Sequence, residues 1–439
     1  MHYGVQGSIL PGLGRCRLRT EGDLGLRAEE ADDFIVFHRR YLLVVNIPIF
    51  CDQKGRILLE RRWYLDLVQH LRYLSDLTLA APRISLSNED DDLIPIDEAL
   101  SNGLKLIILP QQTSRIRALV ELPRTFWTLW RAVGRTEIVH GGIAGWPYPF
   151  GWLAFPIAKL RRKKILLIVE SAPWRLSPPV DGTASPYRRT ESTIYEWFAK
   201  YWCSAADLSF YTQPAYLEQL HANPKTPAYL APATWINQED ILEESQAESL
   251  WRGKLAGPVR FLFAGRLVEE KGIKTLLEAV KSVSSLGVPG EMHVLGDGPL
   301  LDLVVATTKL GTFTLTYHEP IPYGPSFLQF LERFHALVVP SLSDEQPRVV
   351  YDAAARAVPV IGSDTDGLRS CVENGRTGRL IRPGDHVALA EELASLLRDP
   401  KTLRELGLEA LSSARTKTHR AMHVHRSEII AWQFGERRE

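Results

Sequence analysis

The stretch SLSDEQPRVVYDAAARAVPVIGS, residues 341–363, decides how the chain folds. It follows the apolar run Ala336-Leu-Val-Val-Pro340 and closes on a second one, Pro359-Val-Ile-Gly362. Two such runs read as buried parallel strands, so the residues between them must form a crossover helix. Pro347 fits the first helical position, where its missing N–H costs nothing, and the amides of Arg348 and Val349 then point out of the helix N-terminus toward an anion. Asp344 stands on the loop ahead of that helix and Asp352 lies about one and a half turns inside it, so two carboxylates flank an amide-lined site. Phosphate oxygens suit the amides, and sugar or ribose hydroxyls suit the carboxylates; a nucleoside diphosphate sugar supplies both.

The pattern Ser-x-x-Asp-x-x-Pro-Arg-Val-x-x-Asp-Ala, followed by Ala-Val-Pro-Val-Ile and Asp-Gly-Leu, resembles the acidic motif of retaining glycosyltransferase family four, the group 1 glycosyltransferases. The resemblance implies the GT-B fold, an α/β architecture of two Rossmann-like domains with mostly parallel sheets facing across a cleft. In that family two glutamates are separated by seven residues; Asp344 and Asp352 keep this spacing with side chains one methylene shorter. A second α/β series opens at Val259-Arg-Phe-Leu-Phe-Ala264 and runs into Gly265-Arg-Leu-Val-Glu-Glu-Lys-Gly272. Gly265 permits a tight exit from the strand, while Arg266 and Lys271 can converge on one diphosphate, Arg as a planar fork and Lys as a point charge. The family's Gly-Arg-Leu…Lys-Gly motif assigns this basic pair to the donor diphosphate. Gly296-x-Gly298-Pro is similar to the family's glycine pair at the nucleotide base. Asp364-Thr-Asp-Gly-Leu-Arg-Ser370 departs from the pattern, with Asp366 at a usual glycine and Ser370 at a usual glutamate.

The resemblance in the first half is topological. Strands are expected at 41–48, 77–81, 104–109, 137–140, 164–169 and 207–211, alternating with helices, which predicts a mostly parallel sheet covered on both faces. His140 ends one of these strands, where parallel sheets place their ligands, and the family has a histidine beside the reacting sugar there. Glu170 follows another strand end as a candidate acceptor contact. Gly55 lies on the first strand-to-helix loop, where the family closes a glycine-rich loop over the donor; a simple turn glycine is the competing reading. Residues 141–158 hold Trp146, Tyr148, Phe150, Trp152 and Phe155, and the basic run Lys159-Leu-Arg-Arg-Lys-Lys164 follows. Aromatics beside cations can mark a peripheral membrane surface; a helix ending before the next strand gives the same pattern.

The chain has 439 residues, 45% of them hydrophobic, enough for two domains. Lysine plus arginine and aspartate plus glutamate are equal at 52 each, so no global field recruits nucleic acid or an acidic membrane. Cys16, Cys51, Cys203 and Cys371 form neither a ligand spacing nor a disulfide framework, which fits a reduced, cytoplasmic setting, including the inner face of the membrane. The acidic runs Asn88-Glu-Asp-Asp-Asp92 and Asp364-Thr-Asp366 contain Asp-x-Asp, but such runs are usually solvated, and no metal site is assigned.

The expected organisation is an N-terminal extension (1–34), an acceptor-binding domain (35–230), a connection (231–258), a nucleotide-sugar-binding domain (259–415) and a helix crossing back to the first domain (416–439). The expected activity is a hexosyltransferase of polysaccharide-biosynthesis type, moving a sugar from a nucleoside diphosphate sugar to a glycan, lipid-linked or small-molecule acceptor. Retention of configuration and independence of metal or other cofactor follow from the resemblance alone. A catalytically silent nucleotide-sugar-binding scaffold and a GT-B nucleotide-sugar epimerase are the alternatives, the first prompted by the shortened carboxylates.

Overall fold

A computed structural model describes residues 33–52, 54–85, 93–101, 103–176, 184–307, 313–343 and 345–435. The extension expected over 1–34 lies outside them except for its last two positions, and so do Asp344 and the acidic run 88–92.

The first sheet is built on β1 (Tyr41–Val44), whose four residues are all buried. It is flanked in parallel by β4 (Leu77–Ser85) and β7 (Ile138–Gly142), and β8 (Lys164–Val169), β9 (Leu208–Tyr211) and β10 (Ala228–Leu230) continue the parallel order outward. Continuous apolar runs of this kind are what a sheet covered on both faces requires. The other edge departs from the expectation. β2 (Ile49–Cys51) pairs in parallel with the end of β4, β3 (Ile57–Glu60) and β5 (Leu93–Pro95) continue from it antiparallel, and β6 (Lys105–Leu109) pairs with the first part of β4. Strands of three or four half-buried residues carry too little periodicity to be read from sequence.

The second sheet is parallel throughout, in the order β13 (Phe313–His318), β12 (Gly290–Leu295), β11 (Arg260–Ala264), β14 (Ala336–Val339), β15 (Val360–Ser363), β16 (Gly378–Ile381). β14 and β15 are the two runs that frame the central stretch, and the helix Val349–Ala355 crosses between them. Arg348 is its N-cap, so the helix starts two residues later than Pro347 suggested. Gly272 caps the helix Ile273–Ser285 at φ +75°, and a Cβ there would lie 1.8 Å from the Pro340 carbonyl oxygen. Only glycine lets the β11 exit loop lie against the end of β14 in this way.

Residues 236–251 are packed into the core of the second sheet through Ile236, Ala247 and Trp251, whose indole N–H donates to the Ala357 carbonyl at 3.0 Å. The last helix, His419–Phe434, returns to the first sheet, where Ile429, Ile430 and Phe434 join Tyr41, Tyr73 and Phe210 in one core.

Of the two readings of the aromatic stretch after β7, the structure shows the helix that ends before the next strand. Phe150 and Phe155 are fully buried, Trp152 stacks on Phe198 with centroids 4.7 Å apart, and Trp146 alone of the five is exposed. The basic run that follows is likewise engaged: the Arg161 guanidinium lies 4.4 Å from the centre of the Trp130 ring, and Lys164 pairs with Asp207 at 2.8 Å. These residues close the helix Gly151–Leu160 onto its neighbours, and that helix ends four residues before β8, as the helix-end reading expects. Among the described residues no helix is long and apolar enough to cross a membrane.

Candidate active site

At the ends of β11 and β12, beside the start of the crossover helix, lies a cavity of about 440 Å³. It is lined by Gly265, Arg266, Gly296, Asp297, Arg348, Val349 and Asp352, and by Tyr323, Phe327 and Trp235. Two backbone bonds hold its glycine loops together, Gly265 N–H to Leu295 O at 3.0 Å and Leu267 N–H to Asp297 O at 2.8 Å. Gly296 makes this approach possible at φ +146°, since a Cβ there would lie 1.9 Å from the Gly265 carbonyl oxygen. Gly298 sits behind the lining, packed on the Leu267 backbone.

The crossover helix presents its start to the same cavity. The Val350 and Tyr351 amides are taken by the Pro347 and Arg348 carbonyls, at 3.2 and 2.9 Å. The Arg348 and Val349 amides, by contrast, have no hydrogen-bond acceptor among the described residues, and both residues line the cavity. Asp352 is buried, and the Tyr323 hydroxyl donates to its Oδ1 at 3.2 Å. Burial pushes the Asp352 carboxyl up to about 7, although the Tyr323 hydrogen bond works against that rise. Lys271 is outside the lining, on the adjoining loop, where its ammonium lies 3.7 Å from Glu345. Glu345 is the neighbour in sequence of Asp344.

A larger cavity, of about 710 Å³, opens in the first domain. Its walls are mainly apolar, with Leu43, Leu59, Leu67, Leu79, Ile168 and Trp174 among them, and its polar groups include His140, Glu170, His70, Asp66 and Arg115. His140 lies on β7 opposite Leu43 and its Nδ1 is 3.0 Å from the Tyr41 hydroxyl. Burial, with the charge of His70 next, lowers its pKa well below the usual range and keeps the ring neutral. Its Nε2 is buried and finds no partner among the described residues. An imidazole nitrogen left free in a cavity wall is available to a hydroxyl.

The two cavities adjoin. Arg348, in the wall of the first, lies 3.7 Å from Glu170, in the wall of the second, and the rings of Trp235 and Trp63, one from each, meet edge to face at 5.6 Å. The structure therefore brings Arg266, Gly265, Arg348, Val349 and Asp352 into one cavity and places His140 and Glu170 in its neighbour. Gly55 reaches neither. It is the turn of the β2–β3 hairpin, φ +79° with open space around it, where the Asp52 carboxylate accepts from the Lys54 and Arg56 amides. Asp366 and Asp364, the second Asp-x-Asp, are both held by Arg369 at 2.7 Å.

Residues 258–399 match the family model described as glycosyl transferases group 1. The second domain is a group 1 glycosyltransferase domain. Among curated proteins, the chain is 28% identical over 148 residues to alpha-D-kanosaminyltransferase of Streptomyces kanamyceticus, a match covering 33% of this chain and 37% of that one. The chain thus spans little more than a third of the length of this relative. Two solved structures align with nearly the whole chain. Sucrose-phosphate synthase of Thermosynechococcus elongatus has a TM-score of 0.65 at 20% identity, covering 90% of this chain and 99% of that one. HepE of Anabaena, in complex with UDP-glucose, has a TM-score of 0.61 at 13% identity, covering 90% and 100%. The fold is GT-B.

In this glycosyltransferase domain, sequence reasoning passed over Gln346. Its Nε2 donates to Thr212 O at 3.3 Å, Tyr351 Oη at 3.0 Å and Ser370 Oγ at 2.9 Å, and its Oε1 accepts from the Ala233 amide at 3.3 Å. The residue beside the acidic motif thereby ties the crossover helix of the glycosyltransferase domain to the end of the first sheet. Tyr323 and Phe327, which wall the smaller cavity, were also missed; they follow a strand, β13, that the sequence did not disclose.

A third constellation missed by sequence reasoning lies at the base of the larger cavity. Asp66 Oδ1 is 3.2 Å from His419 Nε2 and 3.0 Å from His423 Nε2, and Asp66 Oδ2 is 3.2 Å from His70 Nδ1. Asp66, His70 and His423 come close enough to share a metal ion, but the carboxylate oxygens are already engaged by imidazoles. Burial would raise the Asp66 carboxyl, and the His70 charge with the His419 and His423 hydrogen bonds overcomes it, holding it well below the usual range.

Proposed function

We propose that this chain transfers a sugar from a nucleoside diphosphate sugar, seated in the smaller cavity, to an acceptor hydroxyl presented by the larger one. The observation that carries this reading is the junction of the two cavities at Arg348 and Glu170. A diphosphate placed there meets the Arg266 guanidinium and the Arg348 and Val349 amides, which have no acceptor among the described residues, and Lys271 reaches it from the adjoining loop by leaving Glu345. Preorganised donors of this kind stabilise the charge that develops on a departing diphosphate, so the transfer needs no metal ion. Asp352 takes the ribose hydroxyls, with the base against Tyr323 and Phe327. His140 Nε2 receives a hydroxyl of the transferred sugar or of the acceptor. The acceptor oxygen attacks on the face the diphosphate leaves, its proton passing to a phosphate oxygen, and configuration is retained. Asp344, outside the described residues, is assigned to the sugar by its spacing from Asp352. HepE, crystallised with UDP-glucose, supports a uridine donor as the first to try.

The test is calorimetric. Arg266→Ala and Lys271→Ala each remove a charge-assisted contact and should weaken nucleoside diphosphate binding by about 1.5–3 kcal/mol while sparing the free nucleoside. Equal losses for both ligands would take the basic pair off the diphosphate. Purified protein should also release nucleoside diphosphate slowly from a cognate donor, and tight donor binding with no release would leave a binding protein in place of a transferase.

A further inference from the structure

The helices Arg115–Val120 and Leu122–Gly134 follow one another on the first domain, joined at Glu121. The second is anchored by Thr125, Leu129, Ala132 and Val133, all buried. The remaining faces do not look like ordinary protein surface. Ile116 is 78% exposed, Val120 72%, Leu119 69% and Trp127 53%. Residues 115–135 also carry five arginines against one glutamate. In a chain with no net charge this is a local concentration of positive charge. The guanidinium of Arg131 lies 5.0 Å from the centre of the Trp127 ring, so charge and apolar surface are interleaved side chain by side chain.

This surface runs into the mouth of the larger cavity. Arg115 begins the first helix and lines the cavity; it pairs with Glu191 at 2.9 Å and donates to the Tyr187 hydroxyl. Trp146, the exposed aromatic of its stretch, lines the same cavity. Exposed aliphatics and tryptophan mixed with arginine are the composition of a surface that lies in a lipid interface. The excess of arginine selects an anionic one. A second copy of this chain would set arginines against arginines about a two-fold axis, which like-charge repulsion opposes.

We propose that the helices Arg115–Val120 and Leu122–Gly134 dock on an anionic lipid surface, so that the acceptor cavity opens at the membrane and takes an acceptor carried on a lipid. The acceptor class rests on the transferase reading; the docking does not. The probes are vesicles of phosphatidylcholine alone and of phosphatidylcholine with phosphatidylglycerol, sedimented with the full chain. Wild type should pellet with the anionic vesicles and not with the neutral ones, and salt should weaken binding. The triple variant Ile116→Ser, Leu119→Ser, Val120→Ser should lose at least about tenfold in partitioning. The pair Arg117→Gln, Arg124→Gln should flatten the salt dependence. None of these residues lines either cavity, so the thermal shift given by nucleoside diphosphate should stay at its wild-type size, and that also reports folding. The proposal is overturned if wild type pellets with neither vesicle, or if the triple variant pellets as wild type does. It is equally overturned if the triple variant abolishes a dimer seen by light scattering, which would make the face a contact between copies. Failure of the transferase reading would look different: vesicle binding intact with no donor turnover.

Discussion

Asp352 is a carboxylate placed where its charge is expensive. It is buried and faces one neutral donor, the Tyr323 hydroxyl, and burial holds its pKa near 7 against the ordinary 3.8. Because the folded pKa is the higher, the folded state binds more protons than the unfolded state between those values. The protonated group's stability is therefore complete below the unfolded pKa and lost as pH rises through the folded one. The loss at pH 8 is on the order of 2–4 kcal/mol. Asp352→Asn keeps the shape and removes the charge, so its melting temperature should exceed that of wild type by a margin that grows from about pH 5 to about pH 8. The same substitution should weaken nucleoside binding, since ribose hydroxyls donate better to a carboxylate than to an amide. A margin flat with pH would mean that the carboxyl is not held up by burial. A buried carboxylate that costs stability where it stands is the pattern expected of a functional residue.

The strand ends β11, β12 and β14 depend on backbones approaching more closely than any side chain allows. Gly296→Ala would put a Cβ 1.9 Å from the Gly265 carbonyl oxygen, so the two loops must part and Arg266 with them. Thermal shift should show a loss of about 1–3 kcal/mol in stability together with a loss of nucleotide affinity. Gly55→Ala is the control, with a comparable backbone demand at φ +79° but open space around it. It should cost about 1 kcal/mol or less and leave nucleotide affinity unchanged. Both glycines stand in sequence contexts that invite a functional reading, and only the structure separates them. Glycine and charge at strand ends were legible because their spacing within one βα unit is short and chemically constrained. Asp352, Arg266 and Arg348 belong to that class. Gln346, Tyr323, Trp235 and the Asp66 cluster were not legible. Their partners lie far along the chain, 353 residues in the case of Asp66 and His419, and no local periodicity records such a contact. The aromatic stretch 146–155 stayed ambiguous for the reverse reason: composition cannot tell a buried aromatic from an exposed one, whereas the helices 115–134 show both faces only once folded.

Across the whole molecule, the first domain is closed by a helix from the far end of the chain, and the closure is ionic and aromatic as well as apolar. His419 and His423 reach Asp66 on the helix Arg61–Tyr73, His423 Nδ1 lies 3.2 Å from the Tyr73 hydroxyl, and the rings of His70 and His423 meet at 4.7 Å. The charged groups facing His423 are Asp66, which favours its protonation, and His70 and Arg426, which oppose it. Burial outweighs the Asp66 attraction and holds the His423 pKa well below 6.5. Here the folded pKa is the lower, so the unfolded state binds more protons. The stability that a neutral His423 contributes is complete above pH 6.5 and declines as pH falls from there toward the folded pKa. This is opposite in sign to the Asp352 effect. From about pH 6.5 to about pH 5 wild type should therefore lose stability relative to His423→Gln, which cannot titrate: the variant should be the less stable at neutral pH, and the gap between the two should narrow on acidification. The same narrowing should persist in the Asp352→Asn background, where the opposing contribution is gone. The two variants together assign each pH dependence to its own place, one to the smaller cavity and one to the junction behind the larger. A gap between wild type and His423→Gln that stays constant over that window would remove His423 as a source of pH dependence.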